Sequence, residues 1–144
     1  MKIGIANDHR GVELKGRIIE YLEKNFIEYV DYGTNSTESV DYVDYAVKLC
    51  NGINNHEVDL GILVCGTGIG MSIAANKVKN ILAAKVNNRN EAALCREHNR
   101  ANVMTLSEYT EDLEGILDNF INTKPSVEEK HIRRVNKILN IQEN

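Results

Sequence analysis

The chain has 144 residues, 42% of them hydrophobic and 26% charged, with a formal net charge of −4; that length suits one well-buried domain and leaves too little for two. The acidic balance argues against broad nucleic-acid binding, and no apolar run approaches the roughly 20 residues that span a bilayer. Cys50, Cys65 and Cys95 are odd in number and lack paired spacing, which speaks against a disulfide framework or a zinc site and suits the reduced thiols of a cytoplasm.

In chain order, Lys2-Ile3-Gly4-Ile5-Ala6 predicts a first strand near 2–6, with neither export nor membrane insertion indicated. Asn7-Asp8-His9-Arg10-Gly11 then places a carboxylate, an imidazole and a guanidinium where a helix near 11–25 exposes its first amides. Asp8 either caps that helix or faces a ligand. A strand near 27–31, a helix near 42–54 and a strand near 59–64 follow.

The next segment is the most informative. Cys65-Gly66-Thr67-Gly68-Ile69-Gly70 joins the apolar run Leu60-Gly61-Ile62-Leu63-Val64 to a helix near 70–77. Alternating glycines let a ligand approach the backbone, and the helix behind them presents free N–H groups and its positive dipole end. Cys65 is either a small buried hydrophobe or a thiol that this helix start turns into a thiolate.

A strand near 81–86 and a helix near 89–98 come next, the helix ending in Arg96-Glu97-His98-Asn99. His98 there is either a cation suited to the helix dipole or a proton shuttle. A strand near 102–106 and a helix near 111–121 complete the alternation. After Pro125, a helical tail from Ser126 to about Ile141 carries Lys130, His131, Arg133, Arg134 and Lys137, either a solvated face or a grip on phosphate.

Repeated strand-helix alternation implies a parallel sheet covered by helices on both faces. Such sheets bind ligands beyond the carboxyl ends of the strands where the strand order reverses, which is where Asp8, His9 and Cys65 are expected. Two familiar sites are excluded by spacing. A cysteine-phosphatase loop needs arginine six residues after the cysteine, where Met71 stands. The order Gly-x-Gly-x-Gly on an inner strand fits a nicotinamide site poorly, and a P-loop lysine is missing.

Asn7-Asp8-His9, Asp31-Tyr32-Gly33-Thr34, Asp41-Tyr42, the run Cys65 to Lys77, and His98-Asn99 with Asn102-Val103 resemble the signatures of the ribose-5-phosphate isomerase B family. That family also holds allose-6-phosphate and galactose-6-phosphate isomerases. The resemblance covers nearly the whole chain. It implies an α/β, Rossmann-like three-layer αβα sandwich with a five-stranded parallel sheet, in a single domain over 1–144. The tail, 124–141, would extend to a partner subunit.

The resemblance further implies aldose-ketose isomerisation of a sugar phosphate, ribose 5-phosphate and ribulose 5-phosphate first, without metal or organic cofactor. Cys65 would be the base that takes the carbon-bound proton, and the N–H groups of Gly66, Thr67, Gly68, Ile69 and Gly70, with the Thr67 hydroxyl, would hold the negative oxygen. His98 with Asp8 would move the hydroxyl proton during ring opening, while Tyr42 and Asn99 orient the sugar. His9, Lys130 and Arg134 would hold the phosphate. A homodimer or dimer of dimers would share its active sites between subunits, with no nucleic-acid or membrane partner.

The chain departs from the family where phosphate is held. Ser107-Glu108-Tyr109 stands for Gly-x-Arg, and Glu128-Glu129-Lys130-His131-Ile132-Arg133-Arg134 for Gly-Gly-Arg-His-x-x-Arg. Lysine keeps the charge and loses the bidentate fork. A lost charge-assisted contact weakens binding by about 1.5 to 3 kcal/mol, unless Arg10, unusual at its place, replaces it. Val43 stands where proline commonly follows Asp-Tyr, which would loosen the loop over the sugar. These changes open a second expectation, the same chemistry on a hexose 6-phosphate or an unphosphorylated sugar. A non-catalytic sensor is the remote third.

Overall fold

The computed structural model describes residues 1–143. Five parallel strands, β1 (Lys2–Asn7), β2 (Glu28–Asp31), β3 (Leu60–Cys65), β4 (Ala83–Lys85) and β5 (Val103–Ser107), lie in the order β2-β1-β3-β5-β4. The helices are α1 (Val12–Lys24), α2 (Tyr42–Asn54), α3 (Ile69–Asn76), α4 (Arg89–Glu97), α5 (Leu113–Asn122) and α6 (Glu129–Glu143), with a 3-10 turn at His9–Gly11 leading into α1. This is the expected Rossmann-like α/β sheet with helices on both faces.

Strand side chains alternate between faces. Ile3 and Ile5 of β1, Ile62 and Val64 of β3, and Met104 and Leu106 of β5 join Leu14, Ile18 and Leu22 of α1, Cys95 of α4 and Phe120 of α5 in one core. Ala6, Leu63, Cys65 and Val103 meet Leu49 and Cys50 of α2 and Met71 and Ala75 of α3 in the other. Cys65 therefore turns towards α2 and α3.

Most boundaries lie one to three residues from the sequence reading, those of the first helix, the fourth strand and the tail helix among them. The first helix starts at Val12 because the Asp8 carboxylate accepts from the Arg10 N–H (2.9 Å) and closes a tighter turn before it. The strand expected over 81–86 is ordered as β4 only over Ala83–Lys85. Its outer edge is closed by the Asn76 side-chain amide, which donates to the Ala83 carbonyl (2.9 Å) and accepts from the Ala83 N–H (2.8 Å). The tail helix begins at Glu129, because the Ser126 N–H is held by the Glu97 carbonyl (2.8 Å) and the Ser126 hydroxyl by the Glu128 N–H (3.0 Å). Among the described residues, no helix is long and apolar enough to cross a membrane.

Candidate active site

From β1 the chain turns one way to β2 and the other way to β3, so the order reverses between the carboxyl ends of β1 and β3. There the Asp8 N–H donates to the Val64 carbonyl (3.1 Å), drawing the loop after β1 against the end of β3. Asp8, 5% exposed, and Cys65, 4% exposed, thus flank one cleft. The His9 Nδ1 accepts from the Val40 N–H (3.2 Å), so a neutral His9 carries its proton on Nε2. Val40 leads into Asp41 and Tyr42, and the Tyr42 ring lies on Gly70. A Cβ at Gly70 would come within 2.7 Å of that ring, so the contact needs glycine.

Around the thiol the loop folds on itself. Gly68 takes φ +80°, a left-handed turn that aims its N–H at the Cys65 Sγ (3.1 Å). The Thr67 hydroxyl accepts from the Ile69 N–H (3.1 Å). Two of the five expected oxyanion donors are therefore engaged within the loop, whereas the N–H groups of Gly66 and Thr67 have no partner among the described residues. The other cysteines are core residues: burial pushes the Cys50 thiol up to about 12 and the Cys95 thiol up to about 11. Among the described residues, no three His, Cys, Asp or Glu side chains gather as metal ligands would.

His98 and Asn99 lie elsewhere. Helix α4 runs back against the strand direction and ends at the amino edge of the sheet, where β5 starts. Val103 opens β5 and Ser107, beside Cys65, closes it; at about 3.3 Å per residue these ends are roughly 13 Å apart. Within one chain His98 therefore does not reach Asp8 or Cys65. Instead its ring stacks on His131, centroids 4.3 Å apart and 7° from parallel. Lys130, 3.7 Å from Glu128, and the exposed Arg134 share α6 with His131 at that same edge. The expected residues form two groups: Asp8, His9, Tyr42, Cys65 and Gly66 to Gly70 at one end, His98, Asn99, Lys130 and Arg134 at the other.

The family described as Ribose/Galactose Isomerase matches residues 3–138. The chain belongs to that family. It is 42% identical over 106 residues, 74% of its length and 72% of the relative's, to the Ribose-5-P isomerase B of Listeria innocua. The solved Clostridium thermocellum ribose-5-phosphate isomerase B superposes with a TM-score of 0.94 at 42% identity, covering 99% of this chain and 98% of that one. The Mycoplasma genitalium ribose-5-phosphate isomerase B, solved with bound ribulose-5-phosphate, gives 0.91 at 40% identity, covering 99% and 97%.

In this isomerase two further features shape the cleft. Lys15, 3% exposed, donates to the Thr34 carbonyl (2.7 Å) and Asn35 Oδ1 (2.7 Å) and lies 3.1 Å from Asp31 Oδ2. With the Asn7 amide, which also donates to the Thr34 carbonyl (3.0 Å), it pins the start of the loop that carries Val40 to Tyr42. Its sequence signal is a lysine in register with Ile18 and Leu22 on the buried stripe of α1. The other is the Arg10 guanidinium, which grips Glu108 through Nε (2.6 Å) and an outer nitrogen (3.2 Å). No local pattern joins those two residues.

Proposed function

We propose that this isomerase interconverts ribose 5-phosphate and ribulose 5-phosphate through an enediolate, with Cys65 as the base. The observation that carries this reading is the Gly68 N–H on the Cys65 sulfur (3.1 Å) beside the N–H groups of Gly66 and Thr67, which have no partner among the described residues. A base and an oxyanion site so arranged suit the reaction's need to remove a carbon-bound proton while negative charge builds on the neighbouring oxygen. From the aldose, Cys65 takes the proton on carbon 2 and returns it to carbon 1. The hydroxyl proton passes from the oxygen of carbon 2 to that of carbon 1. The Gly66 and Thr67 N–H groups and the Thr67 hydroxyl hold the oxygen while it is negative.

Ring opening falls to Asp8 together with His98. Because the fold separates the two, this reading needs a second copy of the chain, whose amino edge brings His98, Asn99, Lys130 and Arg134 to the carboxyl-end cleft of the first. Tyr42 and Asn99 then orient the sugar, and His9, Lys130 and Arg134 hold its phosphate. The ribulose 5-phosphate bound to the 40%-identical Mycoplasma genitalium protein supports a five-carbon substrate.

The second reading, a hexose 6-phosphate or unphosphorylated sugar, is favoured by Tyr109, which stands 74% exposed where the resemblance expects arginine. Turnover of ribose 5-phosphate by wild-type and Cys65→Ala protein, with chelator present, tests the proposal. Activity lost in the variant supports it. Full activity in Cys65→Ala refutes the base, and preference for allose or galactose phosphates refutes the five-carbon substrate.

A further inference from the structure

Arg10 and Glu108 are separated by 98 positions in sequence yet face each other across the first glycine of the cradle. Arg10 sits in the turn after β1, and Glu108 directly follows β5. A Cβ at Gly66 would lie 3.5 Å from Glu108 Oε2 and 3.8 Å from Arg10 Cγ, so the pair borders the loop that carries the free amides. The Glu108 N–H donates to the carbonyls of Cys65 (3.0 Å) and Gly66 (3.3 Å), which ties the carboxylate's backbone to the thiol residue itself. The Arg10 N–H is held by the Asp8 carboxylate (2.9 Å). Both partners are thus anchored to residues of the cleft.

An ion pair this open to water adds little to stability. The Arg10 side chain is 53% exposed and that of Glu108 19% exposed, so the guanidinium is the accessible partner. The Arg10 guanidinium holds the Glu108 carboxyl below the usual carboxylate range, with His9 adding to the effect, so Glu108 is charged at neutral pH. A negative charge at the rim would repel an anionic substrate, and its guanidinium partner is the group such a substrate would seek.

We propose that Arg10 is an anion-binding residue of the substrate cleft and that Glu108 is its resting partner, from which the substrate's phosphate takes it. Glu108 then sets how tightly the anion is held: it occupies the guanidinium between turnovers and reclaims it as product leaves. This deepens the functional reading above and rests on it only for the anionic character of the substrate.

The test compares Glu108→Gln with Arg10→Gln in the full chain, each checked for wild-type circular dichroism. Freeing Arg10 in Glu108→Gln is expected to lower the Michaelis constant and the inhibition constant of inorganic phosphate about threefold or more, and Arg10→Gln to raise both about tenfold. If both variants weaken phosphate alike, the pair is a strap and the proposal is overturned. Unchanged constants overturn it as well. A direct readout separates it from the assigned reaction: the Arg10 Nε–H resonance should shift as inorganic phosphate is added, whichever sugar is turned over. A resonance that stays fixed overturns the proposal even if the enzyme isomerises ribose 5-phosphate.

Discussion

The imidazole of His98 lies flat on that of His131, ring centroids 4.3 Å apart, and so ties the end of α4 to the first turn of α6. The stack holds both rings at the amino edge, away from Cys65. Proteins inactivated separately by Cys65→Ser and by His98→Asn should therefore recover activity when co-expressed, because a mixed dimer rebuilds one intact cleft. Random pairing gives about a quarter of wild-type activity. Activity absent from the co-expressed pair would rule out a site shared between copies.

The thiols should differ sharply in reactivity. Burial raises Cys50 to about 12 and Cys95 to about 11, so at pH 8 both stay neutral, with thiolate fractions of ~10⁻⁴ and ~10⁻³. Iodoacetamide on the native protein should modify Cys65 first, and activity should fall in step. Peptide mass spectrometry reads the order, and equal labelling of Cys50 or Cys95 would contradict it.

Two glycine substitutions should act by different routes. Gly68→Ala forces a side chain into φ +80° and to 3.1 Å from the Leu106 backbone, costing about 1–2 kcal/mol from the backbone angle alone. It also turns the N–H away from sulfur. Gly70→Ala leaves the helix in place and displaces the Tyr42 ring, so the Michaelis constant should rise more than the unfolding midpoint falls. Urea denaturation and steady-state kinetics on the two variants separate these effects.

Acid should weaken the fold through paired carboxylates. Arg10 holds Glu108, and Arg89 holds Asp112, below their usual range. A lowered native value means that the stabilisation is present above the unfolded-state value, about 4, and is lost as pH falls through the native one. Each carboxylate pairs with a solvent-exposed guanidinium, so each effect is small. The urea midpoint should decline below pH 4, and the Glu108→Gln, Asp112→Asn double variant should decline less steeply. Identical slopes would remove these pairs from the acid response.

Much of the fold was legible because burial on two faces imposes local patterns. Apolar runs marked all five strands, and the amphipathic stretches between them marked the helices to within a few residues. Strand β4 was read too long because the Ile81 N–H is held in a turn by the Val78 carbonyl (3.2 Å) and the Leu82 N–H by Asn102 Oδ1 (2.8 Å), contacts that the apolar run does not show. At the site, Asp8, His9 and Cys65 were placed correctly at the carboxyl ends, since a residue following a parallel strand can lie nowhere else.

The sequence by itself determined the parallel α/β sheet, the glycine cradle and the residues at its carboxyl ends, because side-chain period and chain order encode them directly. Only the tertiary structure decided which distant residues meet. Placing β3 between β1 and β5 brings Arg10 to Glu108, and the return of α4 carries His98 to the far edge and onto His131. Strand order and helix direction are set by packing of the whole core, and no short stretch of residues records them.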